Sequence, residues 1–225
     1  MSESAADECL ICKRVLHTED DCALLARDLA SIYRASMRHK PSSWRVYLQG
    51  DLGLGKTSFV RHLLRALGVD ERIKSPSFAL MYSYPLGFDL NEPFDSAISL
   101  ERPEECAAQK PGALGIEAYH FDFYRLNSPD DWLGVGLEAC FDDPTALLLV
   151  EWPEKASLPA WDLQLRWTWA AQEDPNAAGA KPDPEATPAQ GPRVLSLRVR
   201  HDFSARAALT QGLHAEAQNF GAPAG

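Results

Sequence analysis

The stretch that decides the fold of this chain is Gly50-Asp51-Leu52-Gly53-Leu54-Gly55-Lys56-Thr57. It matches the P-loop pattern G-x-x-x-x-G-K-[ST]. The residues before it, 45–49, are predicted to form a short buried strand. Apolar residues at helical spacing predict a helix over 57–67. This order of strand, glycine-rich loop and helix favours a phosphate-binding site over a glycine-rich turn that binds nothing.

The residue types of the loop follow from the chemistry of phosphate binding. Glycines let backbone N–H groups approach an anion closely, and the start of a helix adds unpaired amides and partial positive charge. Lys56 is predicted to reach the β- and γ-phosphates, and the hydroxyl of Thr57 to ligate Mg²⁺. The predicted nucleotide contacts begin with the loop itself: Asp51, Leu52, Gly53, Leu54, Gly55, Lys56 and Thr57.

Length, composition and charge limit the class of protein. The chain has 225 residues, of which 45% are hydrophobic, and this predicts one domain over 1–203 followed by a C-terminal helix and tail over 204–225. No apolar run approaches the roughly 20 residues of a membrane span, and 1–8 lack the features of a signal peptide, so we expect a cytoplasmic protein without a membrane partner. The net charge of −10 disfavours direct, tight nucleic-acid binding.

The five cysteines do not suggest a disulfide framework, because their number is odd and the chain is not small. Cys9 and Cys12 form a C-x-x-C pair, but the second pair or His pair that a zinc site requires is not evident nearby. We therefore assign no metal or redox role to them.

The hydrophobic pattern predicts an α/β protein: a P-loop NTPase-like three-layer fold with a mixed central sheet and a C-terminal antiparallel hairpin. Two segments, 85–115 and 170–192, are predicted to be flexible insertions, because they are rich in Pro and small or acidic residues and lack core periodicity. Thr18 is predicted to cap the first helix, and Gly68 to end the P-loop helix. The other predicted strands are 11–16, 78–84, 117–123, 146–151, 163–169 and 195–199, and the other predicted helices are 18–37, 128–140 and 204–217.

Two carboxylates are candidates to complete a catalytic site with Lys56. Glu151 ends the apolar run 147–150, as a Walker-B acid ends a buried strand, and can hold Mg²⁺ or polarise an attacking water. Asp122 shares one strand face with His120 and Tyr124 and is the second candidate acid and metal ligand. The alternatives are a salt bridge of Asp122, for instance with Arg125, and a helix-capping role for Glu151.

The segment that follows the P-loop helix contains Ser75-Pro76-Ser77-Phe78. In many NTPases the corresponding segment places a hydroxyl near Mg²⁺ and the γ-phosphate. Ser77 is the hydroxyl we predict for this position. An ordinary turn serine is the alternative.

Four blocks taken in order resemble the bacterial TsaE (YjeE) family. They are the P-loop, Lys74-Ser75-Pro76-Ser77-Phe78, Tyr119-His120-Phe121-Asp122 with Tyr124-Arg125-Leu126, and Val150-Glu151-Trp152-Pro153-Glu154. The resemblance covers residues 16–169 and the strand at 194–199. It implies an ATPase with Mg²⁺ and ATP or ADP, slow alone, that acts in tRNA threonylcarbamoyladenosine biosynthesis with partner proteins of the TsaB and TsaD type.

When the family's functional positions are transferred to the matching residues of this sequence, the resemblance supports Lys56, Asp122 and Glu151 as catalytic residues. It also supports Thr57, Asp122 and Glu151 as metal ligands. It adds Ser58, in place of a usual Thr, as a phosphate contact, and Trp152, which is implied to pack beside the nucleotide or the partner. Three features depart from the family pattern: Ser77 stands for a usual Thr, Leu54 for a usual Ala, and both predicted insertions are longer than usual.

Two other functions compete with this interpretation. A small-molecule or nucleotide kinase shares the P-loop but needs a lid that carries arginines, and between Arg72 and Arg166 the sequence holds only Arg102 and Arg125. A nucleotide-dependent binding module without useful turnover needs Lys56 but not Glu151. The sequence shows no obvious arginine finger, which favours completion of the site by a partner protein.

Overall fold

The computed structural model describes residues 8–86, 115–172 and 191–217. It has seven strands, four α-helices and two short 3₁₀ segments within these ranges. In chain order the elements are β1 Glu8–Leu16, α1 Glu19–His39, β2 Trp44–Gln49, α2 Lys56–Ala66, β3 Met81–Pro85, β4 Glu117–Asp122, α3 Ala139–Asp142, β5 Leu147–Glu151, the 3₁₀ turn Pro153–Lys155, β6 Leu163–Trp169, the 3₁₀ turn Ala170–Gln172, β7 Arg193–Arg200 and α4 Arg206–Ala217.

The strands form one mixed sheet in the order β1-β7-β6-β2-β5-β4-β3. The four central strands, β6, β2, β5 and β4, are parallel to one another, whereas β7 and β3 run antiparallel to their neighbours. The predicted C-terminal hairpin is confirmed as the antiparallel pair of β6 and β7, and β1 adds a further antiparallel strand beyond β7. The P-loop strand β2 therefore lies in the middle of the sheet with a parallel neighbour on each side.

Two apolar layers cover the sheet, which confirms the three-layer α/β fold. On one face α1, α2 and α4 pack on the sheet through residues such as Leu25, Phe59 and Leu209, each fully buried. The opposite face is built around Phe121, Phe123, Trp132, Phe141 and Val150. The apolar run of β5 supplies both layers in alternation, because successive side chains of a strand point to opposite faces.

The predicted start of the first helix and the predicted end of the second are confirmed. The hydroxyl of Thr18 accepts the N–H of Asp21, and the carboxylate of Asp21 accepts the N–H of Thr18, which completes a capping box. After α2, Gly68 has a φ of 89°, and its N–H and that of Val69 donate to Arg65 and Leu64. This pair of bonds is a Schellman motif, for which glycine is suited because it adopts a positive φ without steric cost.

The predicted helix over 128–140 is wrong. Residues 129–138 form successive turns, and only Ala139–Asp142 is helical. Gly134 and Gly136 take φ values of 77° and 86°, which a right-handed helix does not contain. The N–H of Ser128 instead binds the carboxylate of Asp131 and so closes a local turn.

The strand predicted from Phe78 begins three residues later, at Met81. The N–H groups of Ala79 and Leu80 both donate to the carbonyl of Pro76, and Leu80 has a φ of 63°. This turn delays the strand and leaves Phe78 85% exposed.

Most of each predicted insertion, 87–114 and 173–190, lies outside the described residues, as do 218–225 at the end of the predicted tail. The ends of the second insertion are joined, since the N–H of Ala170 donates to the carbonyl of Pro192. The C-terminal helix α4 is confirmed and packs against α1 and β1 with Leu209 and Leu213 fully buried. In the described part of the chain, no helix is long and apolar enough to cross a membrane.

Candidate nucleotide-binding site

The glycine-rich loop connects the carboxyl end of β2 to the first residue of α2, as its sequence predicts. Its three glycines all have positive φ values: 134° at Gly50, 81° at Gly53 and 99° at Gly55. A Cβ on Gly50 would lie 2.6 Å from the carbonyl oxygen of Trp167, and one on Gly55 would lie 2.9 Å from the guanidinium of Arg193. The loop conformation therefore depends on glycine at both of these positions.

Lys56 is the first residue of α2, and its side chain turns back over the loop. It is only 4% exposed, and its Nζ donates to the carbonyl oxygens of Gly50 and Asp51, the latter over 2.9 Å. The same ammonium lies 4.0 Å from the ring centroid of Trp152. Burial lowers the pKa of Lys56 below its usual value, although nearby carboxylates, Glu151 first among them, oppose this shift. The lysine is thus a desolvated cation held at the mouth of the loop.

Thr57 and Glu151 are brought together by the pairing of β2 with β5. The parallel register aligns Leu48 with Glu151, so the strand-end acid lies beside the loop that follows β2. The Oγ1 of Thr57 donates to Oε2 of Glu151 over 3.0 Å. The structure does not support the helix-capping alternative for Glu151. Its carboxylate contacts α2 through the hydroxyl of Thr57 rather than through a backbone N–H.

Asp122 lies next to Glu151 in the register of β4 and β5, and both carboxylates are buried, with 5% and 2% exposure. Oδ1 of Asp122 accepts the N–H of Tyr124 over 3.0 Å. Burial raises the pKa of Asp122, the Tyr124 hydrogen bond lowers it, and the charge of Glu151 raises it further. Arg125, which the salt-bridge alternative pairs with Asp122, instead stacks on Phe78. Its Cζ lies 4.2 Å from the centroid of the Phe78 ring.

Trp152 follows Glu151 directly and has a φ of 58°, a left-handed conformation that is unusual for a large side chain. The backbone N–H of Trp152 donates to the carbonyl of Leu48. The centroid of its ring lies 4.8 Å from that of the Tyr124 ring. These contacts hold the Trp152 ring against the Lys56 ammonium.

Ser58 follows Thr57 in the first turn of α2, and Ser77 lies in the turn before β3. Among the described residues, neither side chain bonds to Lys56, Thr57 or Glu151. Ser77 lies in the turn before β3, which is attached to the site through the backbone, because the N–H of Asp122 donates to the carbonyl of Leu80.

Two residues of the site lacked an assigned role in the sequence prediction. The sequence pattern predicts only a strand face for His120, whereas its Nε2 lies 2.9 Å from Oε1 of Glu151. Arg193 begins β7, far along the chain, and its guanidinium donates to the carbonyl oxygens of Leu54 and Thr18 over 3.5 and 3.1 Å. No local motif marks Arg193, so only the sheet order reveals its position.

The arrangement fits a phosphate group and a magnesium ion. Within the described chain, no side chain caps α2 and its first turn carries no acidic residue, so its amides are open to an anion. Thr57, Glu151 and Asp122 supply hard oxygen donors of the kind that Mg²⁺ prefers. The described ranges contain no cluster of three or more His, Cys, Asp or Glu residues able to hold a metal alone. Such a donor set fits a Mg²⁺ ion that also takes ligands from phosphates and water.

The four cysteines in the described ranges, Cys9, Cys12, Cys22 and Cys140, are free thiols. Cys9 and Cys12 lie on β1 at the edge of the sheet, on either side of an irregularity in its pairing with β7.

The fold and the loop together are typical of P-loop proteins: a central parallel strand, a glycine-rich loop, a helix, and an acid from the adjacent strand bonded to the loop threonine. The model of the family described as threonylcarbamoyl adenosine biosynthesis protein TsaE matches residues 16–94 and 107–177, about two thirds of the chain. The chain belongs to the TsaE family.

Curated relatives agree with this assignment. The chain is 30% identical over 127 residues to the tRNA threonylcarbamoyladenosine biosynthesis protein TsaE of Haemophilus influenzae, which covers 56% of this chain and 63% of that protein. It is 32% identical over 112 residues to the TsaE protein of Treponema pallidum, covering 50% of this chain and 62% of that protein. In both cases the match spans less than two thirds of the relative's length.

The fold is also similar to a solved structure. The crystal structure of YdiB from Bacillus subtilis superposes with a TM-score of 0.51 at 16% identity, covering 92% of this chain and 95% of that chain. At this identity the likeness concerns the fold alone.

Proposed function

We propose that this protein binds ATP with Mg²⁺, hydrolyses it slowly, and acts with proteins of the TsaB and TsaD type in forming threonylcarbamoyladenosine in tRNA. The observation that carries the proposal is the hydrogen bond between Thr57 and Glu151 beside the buried Lys56. It places a loop hydroxyl, a strand-end carboxylate and a cation around one point at the start of α2. Family membership supports the place in tRNA modification, and that place implies action in the cytoplasm.

The residues of the site have distinct roles in this mechanism. The loop amides and Lys56 bind the phosphate oxygens, and Lys56 exchanges its loop carbonyl partners for them. Thr57, Glu151 and Asp122 are the residues that would hold Mg²⁺, directly or through water. The ion, when bound, neutralises charge that develops on the phosphates. Glu151 also orients the water that attacks the γ-phosphate in line with the leaving oxygen.

The proposal expects slow turnover by the protein alone. Within the described ranges, Arg125 stacks on Phe78 and Arg193 is bonded to backbone carbonyls, so neither is aimed as an arginine finger. An arginine finger typically raises turnover by about 10³–10⁵-fold. A partner protein is the expected source of the missing group, and the net charge of −10 suits docking on proteins rather than on tRNA directly.

The test combines binding, turnover and tRNA modification. Purified protein is titrated with ATP and ADP with and without Mg²⁺, and phosphate release is measured with and without the TsaB- and TsaD-type proteins. We expect Mg²⁺-dependent binding and faster turnover with the partners. Lack of Mg²⁺-dependent nucleotide binding, or equal turnover with and without the partners, would contradict the proposal.

Two variants separate this function from its rivals. Lys56→Ala and Glu151→Ala are both expected to abolish threonylcarbamoyladenosine formation in cells that depend on this protein. Full modification with Glu151→Ala but not with Lys56→Ala would identify a binding module without useful turnover. Transfer of phosphate to a nucleoside or metabolite in a product screen would identify a kinase.

A further inference from the structure

His120 is a fully buried polar side chain in β4, with 0% exposure. Ala118 of the same strand packs in the layer that contains α1 and α2, and residues two apart share a face. His120 and Asp122 therefore point toward α2, as does Glu151, which shares a face with Leu147 and Leu149 of β5. The sheet register thus encloses an imidazole on the side of the sheet that carries the loop.

The imidazole contacts the oxygen of Glu151 that Thr57 does not use. Nε2 of His120 lies 2.9 Å from Oε1 of Glu151, while Oε2 accepts the hydroxyl of Thr57 over 3.0 Å. Both oxygens of a carboxylate that is only 2% exposed are therefore held, from two different elements of the fold. A carboxylate bonded at both oxygens cannot rotate about its terminal torsion without losing a buried hydrogen bond.

The second ring nitrogen defines the tautomer. Nδ1 of His120 is buried and has no hydrogen-bond partner among the described residues. Because a carboxylate oxygen accepts hydrogen bonds and Nδ1 has no acceptor among these residues, the ring proton is assigned to Nε2, which faces Glu151. The geometry therefore indicates an imidazole that donates from Nε2 to Glu151.

We propose that His120 is a positioning residue for the hydrolysis of ATP: its Nε2–H fixes the carboxylate of Glu151 so that Oε2 stays directed at Thr57. This inference rests on the proposed function, in which Glu151 acts on Mg²⁺ and on the attacking water. His120 touches neither and acts through Glu151 alone. Partners of this kind that orient a ligand carboxylate or imidazole typically contribute about 10–100-fold to metal affinity or activity.

Two substitutions of His120 distinguish a role in positioning Glu151 from a role in packing alone. In His120→Gln the side-chain amide nitrogen extends to about the place of Nε2 and can still donate to Glu151. In His120→Asn the amide nitrogen stands nearer the place of Nδ1 and is too short to reach it. Both variants replace the ring with a polar amide, so a purely structural role predicts similar damage from each.

The kinetic experiment measures kcat and KM for ATP in the presence of the partner proteins, together with the Kd for ADP without Mg²⁺ and the urea midpoint. We expect His120→Asn to lower kcat about 10–100-fold, with KM and the Mg²⁺-free Kd little changed. His120→Gln should restore most of kcat. Wild-type kcat in both variants, or equal losses of kcat that follow the urea midpoint, would overturn the inference.

A measurement on the nucleotide-free wild-type protein is independent of turnover. Nitrogen-15 NMR of the His120 ring should show a proton on Nε2 that is protected from exchange with solvent. This protection should be lost in Glu151→Ala. An Nδ1–H tautomer, or a rapidly exchanging ring proton, would overturn the inference. Failure of wild-type protein to bind any nucleotide would instead contradict the proposed function, and the NMR result would still decide whether His120 holds Glu151.

Discussion

Thr57 and Glu151 lie 94 residues apart in the sequence and are joined by a hydrogen bond of 3.0 Å from Oγ1 to Oε2. The contact links the first turn of the P-loop helix to the end of the adjacent parallel strand. A side-chain hydrogen bond therefore joins the glycine-rich loop region directly to the strand-end acid.

This contact gives a first prediction. Thr57→Val keeps the shape of the side chain but removes the hydroxyl, so Glu151 loses a buried donor, and the free energy of unfolding should fall by about 1.5–3 kcal/mol. The increase in nucleotide affinity that Mg²⁺ produces should fall at least about tenfold. Calorimetric titration with ADP, with and without Mg²⁺, measures the second effect. Thr57→Ser retains the hydroxyl and is the matched control, and an equal loss in both variants would exclude the hydroxyl as the cause.

The loop glycines give a second prediction. Gly50→Ala combines a φ of 134° with a Cβ only 2.6 Å from a backbone carbonyl that cannot move aside easily. We expect it to lower the free energy of unfolding by about 3 kcal/mol and to abolish nucleotide binding. Gly53→Ala meets no atom within 4 Å and carries only the strain of its positive φ, about 1–2 kcal/mol. Urea unfolding compares the two, and similar losses would show that the close approach to Trp167 is unimportant.

The start of α1 gives a third prediction. Thr18→Ala removes the acceptor for the N–H of Asp21 and half of the capping box, which should cost about 1 kcal/mol. Ser31→Ala lies in the same helix, where the serine hydroxyl donates to the carbonyl of Arg27. Alanine has the highest helix propensity, so this control should change stability by less than about 0.5 kcal/mol. Thermal unfolding of both variants provides the comparison.

Cys22 gives a prediction about pH. Burial raises the pKa of its thiol to about 11, with the nearby Arg193 opposing the shift. Since the thiolate is the reactive form, about one Cys22 thiol in a thousand is ionised at pH 8. Iodoacetamide at pH 8 should therefore modify half-buried Cys9 well before Cys22, as mapped by mass spectrometry of peptides. The rate at Cys22 should rise as the pH is raised toward 11, and labelling of both thiols at one rate in folded protein would contradict the burial of Cys22.

The parts of the fold that the sequence predicted correctly are those governed by local rules. The P-loop pattern, the capping box at Thr18, Gly68 after α2 and the apolar run of β5 each involve residues close together in the chain. The wrong prediction, a helix over 128–140, came from the same kind of reasoning. Its start signals at Ser128 and Pro129 were genuine turn signals, but Gly134 and Gly136 adopt conformations that end any helix there.

The roles of Lys56, Asp122 and Glu151 remain predictions, although the structure brings the three residues to one place. Their proximity depends on the order of the parallel strands β2, β5 and β4, which sequence periodicity does not encode. The same order explains why His120 and Arg193 had no predicted role. Each contacts a residue distant in sequence, and neither belongs to a local motif whose chemistry is known from its spacing.

The sequence by itself determined the glycine-rich loop, the helix behind it and most strand positions, because backbone conformation and hydrophobic periodicity act over a few residues. The tertiary structure alone decided which carboxylate oxygen faces Thr57, which faces His120, and how Trp152 closes over Lys56. These relationships depend on the lateral order and register of strands. Those are set by the packing of the whole sheet between its two apolar layers, and no short stretch of sequence contains that information.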